Sequence, residues 1–518
     1  MVNNTDCQIM QKCISKERLK IFGKPTDFEY PLDNETVDRI KVLCGKISSD
    51  YDDFAIFKHR KEIIDPLWKM LIEKSIKSLR YFDAREPFKN SNRKKTPKAY
   101  GIDELKTYYD QYAEFENILY GSNRYYRDHV VHVFRTWLSG VELLTRNKGE
   151  YLKIISLHEK ECTIKLNPIE ILSIWTLVAL THDLGYPLQK AKNIIDTTRS
   201  MVSTFITNPD ISIDFSFHGV QNYMNDFIVR LMSSKMRKDK IKTSRYVARL
   251  QPKYYFKFQK SLEKNSHGIL STLIIYKLLT YFLESDYSIN EDYTFDKNEC
   301  RQFYIRREIL RAIASHTCND VYQLYMASFS FLLRICDDTQ QWGRKNISEL
   351  YVKTSQKYEP GNIDLSIDQQ KDLKKRTHKC TIKEKISLPG EPESVIKLIE
   401  RLRKQSLAYI TIFRDGQDTI SRDFSFERIL LIECDEKIEF TLTLKIPKDG
   451  ASELIGKITY TSDDSVNERF GEDFFNKIYE SDPVNNWRIM NSGRKEVDKS
   501  KLSNWRECEG VFPILLSK

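Results

Sequence analysis

The sequence predicts a mainly α protein with an N-terminal helical region and a C-terminal α+β domain. Apolar residues recur at helical spacing near the N-terminus and again from about residue 125 to residue 345. Strand-like runs become frequent only after residue 386. The composition, 40% hydrophobic and 30% charged over 518 residues, is typical of a globular chain that forms more than one domain.

The N-terminal region, residues 1–115, is predicted to be helical. Ile64, Trp68, Ile72, Ile76 and Leu79 lie three or four residues apart, which places them on one face of a helix. Residues 85–99 contain two prolines, an Asn-Ser-Asn run and several basic residues, which is typical of an exposed connection.

The central domain, residues 116–345, is predicted to be a helical bundle with a basic insertion near residues 235–260. That insertion holds ten Lys or Arg against one Asp, so it accounts for most of the net charge of +10. Aromatic residues are interleaved with these cations, namely Tyr246, Tyr254, Tyr255, Phe256 and Phe258. Such a composition fits either a solvated basic face or a surface that binds nucleic acid.

The C-terminal part divides into a charged linker, residues 346–385, and an α+β domain, residues 386–518. The linker prediction rests on high charge and on Pro360-Gly361. An amphipathic helix pattern at 395–402 is followed by strand-like runs at 408–413, 429–433 and 438–446. In the last run, apolar and polar residues alternate, as expected for a sheet with one wet face.

The cellular setting is predicted to be cytoplasmic, without a membrane partner. The ten cysteines are scattered and form no close pairs in the sequence, so we expect reduced thiols. The N-terminus has no apolar run like that of a secretory signal. The longest apolar stretch, Ile171 to Leu180, runs into His182 and is far shorter than the ~20 residues that span a bilayer.

Histidines are concentrated in the helical, apolar parts of the central domain. A lone histidine in such a context usually packs in a core, but five together with nearby aspartates favour a functional site. His182 and Asp183 follow an apolar helix and precede Gly185 and Pro187, which end it. Imidazole and carboxylate ligands suit Mn, Mg, Fe or Zn. The five histidines are His129, His132, His182, His267 and His316.

The order of these residues resembles the HD superfamily, whose pattern is H…HD…H…H…D on a helical bundle. The final aspartate of that pattern follows an apolar turn, which Leu332, Leu333 and Ile335 provide before Asp337. The resemblance covers residues 124–344. It implies one or two divalent metals, with the first bound by a histidine, the His182-Asp183 pair and Asp337. By the same resemblance, His267 and His316 bind a second metal or contact phosphate.

Two ligand assignments have alternatives. His129 and His132 lie on roughly the same helix face, and we favour His132 because Thr136 and Gly140 follow it at intervals suited to close packing. His129 would then support the site or act as a general acid. Asp337 is favoured over Asp338 by its position after the apolar turn.

The function that the resemblance implies is metal-dependent hydrolysis of a phosphoanhydride or phosphodiester bond in a nucleotide or related phosphorylated substrate. Asp183 and His129 are the predicted catalytic residues, and nearby cations are candidates for phosphate binding, namely Arg127, Lys190 and Arg344. The alternatives are a nucleotide-sensing regulator and a nucleic-acid-binding protein that uses residues 235–260. The sequence contains no Walker loop, GxGxxG fingerprint or GxSxG elbow.

Overall fold

The structure is a computed structural model, and contacts within the chain divide it into two compact units. The first comprises Met1–Val321 and Tyr325–Asp337, and the second comprises Tyr322–Leu324 and Asp338–Lys518. The described residues are 5–23, 29–48, 55–83, 100–122, 126–155, 157–159, 162–207, 220–241, 244–285, 287–289, 292–318, 327–344, 357–358, 362–369, 376–387, 424–433, 439–446, 453–461, 488–491 and 508–515.

The first unit is mainly helical, as the sequence predicts. Its helices begin with α1 Thr5–Cys13, α2 Lys16–Leu19, α3 Asn34–Ser48, α4 Ala55–Lys58, α5 Asp65–Asp83, α6 Ile102–Ser122, α7 Val130–Thr145 and α8 Glu150–Ile154. They continue with α9 Pro168–Thr181, α10 Tyr186–Val202, α11 Val220–Ser233, α12 Pro252–Glu263, α13 His267–Leu278, α14 Thr280–Leu283, α15 Lys297–Ser315 and α16 Phe329–Thr339. Lys20–Phe22 and Arg146–Lys148 are 3₁₀ turns, and Arg60–Ile64 is π-helical.

Two antiparallel hairpins interrupt the helices of this unit. Strands β1 Leu157–Glu159 and β2 Cys162–Ile164 form the first, and β3 Ser234–Lys238 and β4 Tyr246–Leu250 form the second. The second hairpin and helix α12 together make up the predicted basic insertion. Residues 284–296 connect α14 to α15.

The N-terminal region shares one core with the central helices and does not form a separate unit. The predicted boundary at residue 115 falls inside α6. Buried Arg135 of α7 donates to the carboxylate of Asp6 in α1 at 2.7 and 3.0 Å. Trp68 of α5 donates its indole N–H to the carbonyl of Leu180 in α9 at 2.9 Å. These contacts join the N-terminal helices to those that carry the histidines.

Close packing between α7 and α9 fixes the helices that carry His132 and His182. A Cβ atom at Gly140 would lie 2.1 Å from the ring of Trp175. Trp175 donates to the carbonyl of Trp137, and Trp137 donates to the hydroxyl of Thr176, both at 3.0 Å. The absence of a side chain at Gly140 therefore brings the two helices together.

Gly140→Ala is expected to destabilise the protein by about 1–3 kcal/mol, because the added methyl group must displace the Trp175 ring from a filled core. Gly45→Ala is the matched control. A Cβ at Gly45, on the exposed face of α3, meets no atom within 4 Å, so alanine should stabilise that helix by up to about 1 kcal/mol. Urea unfolding of both variants measures the difference, and equal midpoints would contradict the packing argument.

The second unit contains one sheet of eight described strands. Its order is β11-β12-β10-β9-β8-β7-β5, and β6 also pairs with β7. Neighbours are antiparallel except β7 and β8, which are parallel. The strands are β5 Lys357–Tyr358, β6 Asn362–Gln369, β7 Arg376–Ser387, β8 Phe424–Glu433, β9 Glu439–Ile446, β10 Glu453–Thr461, β11 Arg488–Asn491 and β12 Cys508–Leu515.

The segment predicted to be a charged linker contains β5, β6 and nearly all of β7. Cys380, Ile382 and Ile386 of β7 are buried, whereas Lys379 and Lys383 are exposed. The lysines thus occupy the exposed face of a strand with period-two alternation, whereas Glu384 lies on the buried face and accepts from Arg428 of β8. The predicted strands at 429–433 and 438–446 correspond to β8 and β9. The patterns at 85–99, 395–402 and 408–413 lie outside the described residues.

Candidate metal centre

The candidate site lies where several helix ends meet in the first unit. His132 is in the first turn of α7, and Asp337 is near the end of α16, 205 residues later in the chain. His182 and His316 are the residues that immediately follow α9 and α15, and His267 is the first residue of α13. Helix ends bring these side chains to one point from separate parts of the sequence.

Asp183 is at the centre of the cluster. One oxygen, Oδ2, lies 3.4 Å from Nε2 of His182 and 3.9 Å from Nε2 of His132. The other, Oδ1, lies 3.3 Å from Nε2 of His267 and 3.5 Å from Nε2 of His316. The two carboxylate oxygens therefore face two different pairs of histidines.

Asp337 completes the cluster on the side of His132. Its Oδ1 lies 2.9 Å from Nε2 of His132 and 3.8 Å from Nε2 of His182. Of the two adjacent aspartates, Asp337 is thus the one whose carboxylate reaches the histidines. The sets whose ligand atoms all lie within 4.8 Å of one another are His132, His182 and Asp183; His182, His316 and Asp337; and Asp183, His267 and His316.

Hydrogen bonds orient three of the imidazole rings. Nδ1 of His182 donates to the carbonyl of Ala179 at 2.8 Å, and Nδ1 of His316 donates to the carbonyl of Ile313. Nδ1 of His267 donates to Oε1 of Gln189 at 2.7 Å, and that oxygen also accepts from the backbone N–H of His267. In the neutral form of each ring, the lone pair is therefore on Nε2, the nitrogen that faces the cluster.

The cluster contains buried ring nitrogens that lack a hydrogen-bond donor and could bind a cation instead. Nε2 of His182 is buried without a hydrogen-bond partner. Nε2 of His267 and Nε2 of His316 are only 3.2 Å apart, and burial lowers the pKa of His316, so its neutral ring directs a lone pair toward another nitrogen. Imidazole and carboxylate donors suit Mn, Mg, Fe or Zn. This buried cluster could hold a metal ion.

The protonation of the metal-free cluster follows its charges. Burial opposes charge on His182, but the carboxylates of Asp183 and Asp337 outweigh it and raise the pKa of His182 to about 9. Burial likewise disfavours ionised Asp183, yet the charge of His182 and the neighbouring imidazoles of His267 and His316 hold the pKa of this carboxyl well below its usual range. Without a metal, His182 is therefore protonated on both ring nitrogens and positively charged at pH 7.

The cluster is accessible from one side. The side chains of Asp337 and His267 are 22% and 19% exposed, whereas that of His132 is only 1% exposed. A ligand from solvent therefore meets Asp337 and His267 first. Tyr186 lies on this side, with its ring centroid 5.2 Å from that of His267.

His129 lies beside the cluster and belongs to none of the three close ligand sets. Its ring stacks on Tyr186 with centroids 3.7 Å apart. Its Nδ1 lies 3.1 Å from the hydroxyl of Tyr126, which donates to a carboxylate oxygen of Glu116. The tyrosine oxygen therefore accepts from Nδ1 of His129. Asp128 accepts from the first backbone N–H groups of α7 and so fixes the start of this helix.

The three predicted phosphate-binding cations lie in different surroundings. Lys190 is on α10, with Nζ 5.0 Å from the centroid of the Tyr186 ring, and burial lowers its pKa. Lys190 and His267 are thus both neighbours of the Tyr186 ring. Arg127 is half-buried next to Asp128 in the chain. Arg344 belongs to the second unit.

Several residues that position the ligands were not identified from the sequence. Ser271 donates to the carbonyls of His182 and His267 and accepts from the N–H of Gly185. A Cβ at Gly185 would lie 2.4 Å from the carbonyl oxygen of His267. Only a glycine allows this backbone approach. Tyr186 and Gln189, which both contact His267, could have been noticed in the sequence because they lie one helical turn apart just after His182-Asp183.

Gln189→Ala is expected to lower the affinity for Mn²⁺ roughly 10- to 100-fold, because the His267 ring loses the acceptor that orients it. Gln189→Glu keeps an acceptor and should restore most of the affinity. Gln259→Ala, which removes a glutamine bonded to Tyr255 on α12, is the control and should leave affinity unchanged. Titration calorimetry measures all three. Wild-type affinity in Gln189→Ala would show that His267 does not depend on this contact.

Comparison of the chain with known protein families, with curated proteins and with solved structures finds no match. Within the described part of the chain, none of the helices has both the length and the apolar character needed to cross a bilayer.

Proposed function

We propose that this protein is an HD-type metal-dependent phosphohydrolase that cleaves a phosphoanhydride or phosphodiester bond in a nucleotide or related substrate. The observation that carries the proposal is the convergence of His132, His182, Asp183 and Asp337, in the order of the HD pattern, on one buried point. Their approach from separate helix ends is difficult to explain by core packing, for which apolar residues would be sufficient.

The ligand arrangement supports one or two cations, with Mn, Mg, Fe and Zn as candidates. His132, His182, Asp183 and Asp337 would hold the first. His267 and His316 would hold a second or contact a phosphate, because both face the opposite oxygen of Asp183. A carboxylate with one oxygen toward each histidine pair is suited to bridge two ions.

A divalent cation in this cluster would act as a Lewis acid that activates water and neutralises charge on phosphoryl oxygens. The chain supplies binding and orientation. Asp183 and Asp337 provide the negative charge that retains the cation, and Lys190 lies close enough to the accessible side to attract phosphate. Arg127 and Arg344 remain candidates for phosphate contact on sequence grounds.

His129 is the proposed general acid. Because Nδ1 donates to Tyr126, its other nitrogen is the one able to exchange a proton with a leaving group. Stacking on Tyr186 and burial keep the ring in place. The hydrogen-bonded series from Glu116 through Tyr126 keeps one proton on Nδ1, so His129 would act as an acid after it has taken up a second proton at Nε2.

A nucleotide-sensing regulator is the second candidate, since a sensor can bind nucleotide through the same cluster. The full set of four histidines and two aspartates favours hydrolysis, because binding without turnover needs fewer metal ligands. Turnover by the wild-type protein separates the two.

The test is a screen of purified protein with Mn²⁺ and then Mg²⁺ against nucleoside triphosphates, cyclic mononucleotides, cyclic dinucleotides and short single strands. Product is quantified by chromatography, with a chelator control. Metal-dependent product from at least one substrate class supports hydrolysis. Nucleotide binding with no product from any class would favour the sensor.

A further inference from the structure

Helix α12 separates its aromatic residues between two faces. Of the five aromatic residues in the basic insertion, Tyr254 and Phe258 are buried and belong to the core. Phe256 is 68% exposed and has Lys253 and Lys260 one turn to either side of it. We call Lys253, Phe256 and Lys260 the α12 stripe. Core packing explains the buried rings but not an exposed ring between two cations.

The hairpin that precedes α12 carries further cations. Its register places Lys235 directly opposite Arg249, and Arg237 points to the same face. Like charges directly opposite one another on a sheet are destabilising. An anion on this face would remove the repulsion. Arg249 is exposed, and only Leu250 and Gln251 separate it from α12.

Helix α11, which packs against α12, carries a second exposed ring. Tyr223 is 73% exposed. Asp226 on the same helix accepts from the hydroxyl of Tyr255 in α12 and from Arg230. The carboxylate of Asp226 is therefore paired with Arg230 and Tyr255 and does not neutralise the lysines of the stripe.

Helix α12 also leads to the metal centre. Four residues after its end the chain reaches His267, the first residue of α13. The carbonyl of Lys257 accepts from Cys318, which lies two residues after His316. A strand bound along the stripe would thus follow a helix whose end adjoins the metal centre.

We propose that the hairpin face and the α12 stripe bind single-stranded nucleic acid, with the phosphate backbone on Arg249, Lys253 and Lys260 and a base stacked on Phe256. Cations repeated along a surface match repeated phosphates, and an exposed aromatic ring matches an unpaired base. A duplex is a poorer match because its base faces are covered by stacking. An acidic peptide is a poorer match because its carboxylates do not stack on Phe256. This binding does not require that the protein hydrolyses nucleotides.

The test uses the full chain, fluorescently labelled dT20 and U20, and anisotropy over a series of NaCl concentrations. Lys253→Glu/Lys260→Glu should weaken binding at least tenfold. It should also make the slope of log K against log salt shallower by roughly 1.4, because each phosphate contact on a single strand contributes roughly 0.7. Phe256→Ala should weaken binding roughly tenfold at every salt concentration and leave the slope unchanged. Lys253→Gln/Lys260→Gln repeats the charge test with a milder change.

Lys12→Glu/Lys16→Glu is the matched control, since it makes the same charge change on exposed residues of α1 and α2. Its affinity should stay close to wild type. An equal loss in this control, or wild-type binding by Phe256→Ala, would overturn the proposal, and so would equal affinity for polyglutamate. Mn²⁺ affinity and thermal unfolding, measured in parallel, should be unchanged in the stripe variants, which separates this proposal from that of the metal centre.

Discussion

Asp183→Ala is expected to reduce metal-dependent turnover roughly a thousandfold or more and to remove most of the affinity for Mn²⁺. Asp183 is the one residue whose two oxygens face both histidine pairs, so its loss affects every ion that the cluster holds. A carboxylate that positions a catalytic cation contributes several kcal/mol to the transition state. Initial rates on the best substrate of the nucleotide screen and calorimetric Mn²⁺ titration measure the two effects.

Two further variants make this result interpretable. Asp183→Asn retains the shape of the side chain, so a similar loss of activity with an unchanged circular dichroism spectrum would exclude unfolding as the cause. Asp196→Ala removes an exposed carboxylate from α10 and should behave as wild type. Activity that survives both chelation and Asp183→Ala would show that the chemistry occurs elsewhere in the chain.

The second large effect concerns how the free energy of unfolding changes with pH. As the pH rises, we expect the metal-free protein to lose stability and the stabilisation by bound metal to increase. The pKa of His182 is raised from 6.5 to about 9 in the metal-free fold. Its proton therefore stabilises the fold fully below about pH 6.5, and this stabilisation is lost as the pH rises through about 9. Metal requires neutral imidazole, so metal binding should strengthen over the same interval.

Urea unfolding at pH 6.5, 8 and 9.5, with chelator or with Mn²⁺, measures this difference. At one fixed free Mn²⁺ concentration, equal to 100 times the Kd at pH 9.5, the metal should add about 2.7 kcal/mol to the free energy of unfolding at pH 9.5 and less at pH 6.5. His182→Gln should show neither the loss of stability in the metal-free state nor most of the gain with metal. Parallel pH curves for the metal-free and metal-loaded wild type would contradict the assignment of His182 as a ligand.

The residues of the cluster could be predicted from the sequence, whereas much of what positions them could not. His182-Asp183 follows a largely apolar helix, and Asp337 follows a recognisable apolar turn, so local sequence identifies both. Ser271 looks like any helical serine until the backbone at Gly185 approaches it. Contacts of this kind depend on tertiary distances that local patterns do not contain.

Local composition was a poor guide to domain organisation. Charge was taken as a sign of a linker at 346–385, and in β7 of that segment exposed lysines alternate with a buried Ile382. The N-terminal helices were predicted as a region of their own, and Arg135 and Asp6 join α1 to α7. Local composition reports on exposure and says little about which elements pack together.

The distance along the chain from His132 to Asp337 has a consequence for biosynthesis. During translation, a ribosome has completed nearly all of the helical unit before it adds the last ligand, 205 residues after the first. A nascent chain that stops short of α16 can form many of the same helix contacts but lacks one carboxylate of the cluster. A truncated product would therefore lack the Asp337 side of the cluster, whereas Asp183, His267 and His316, which precede α16, would all be present.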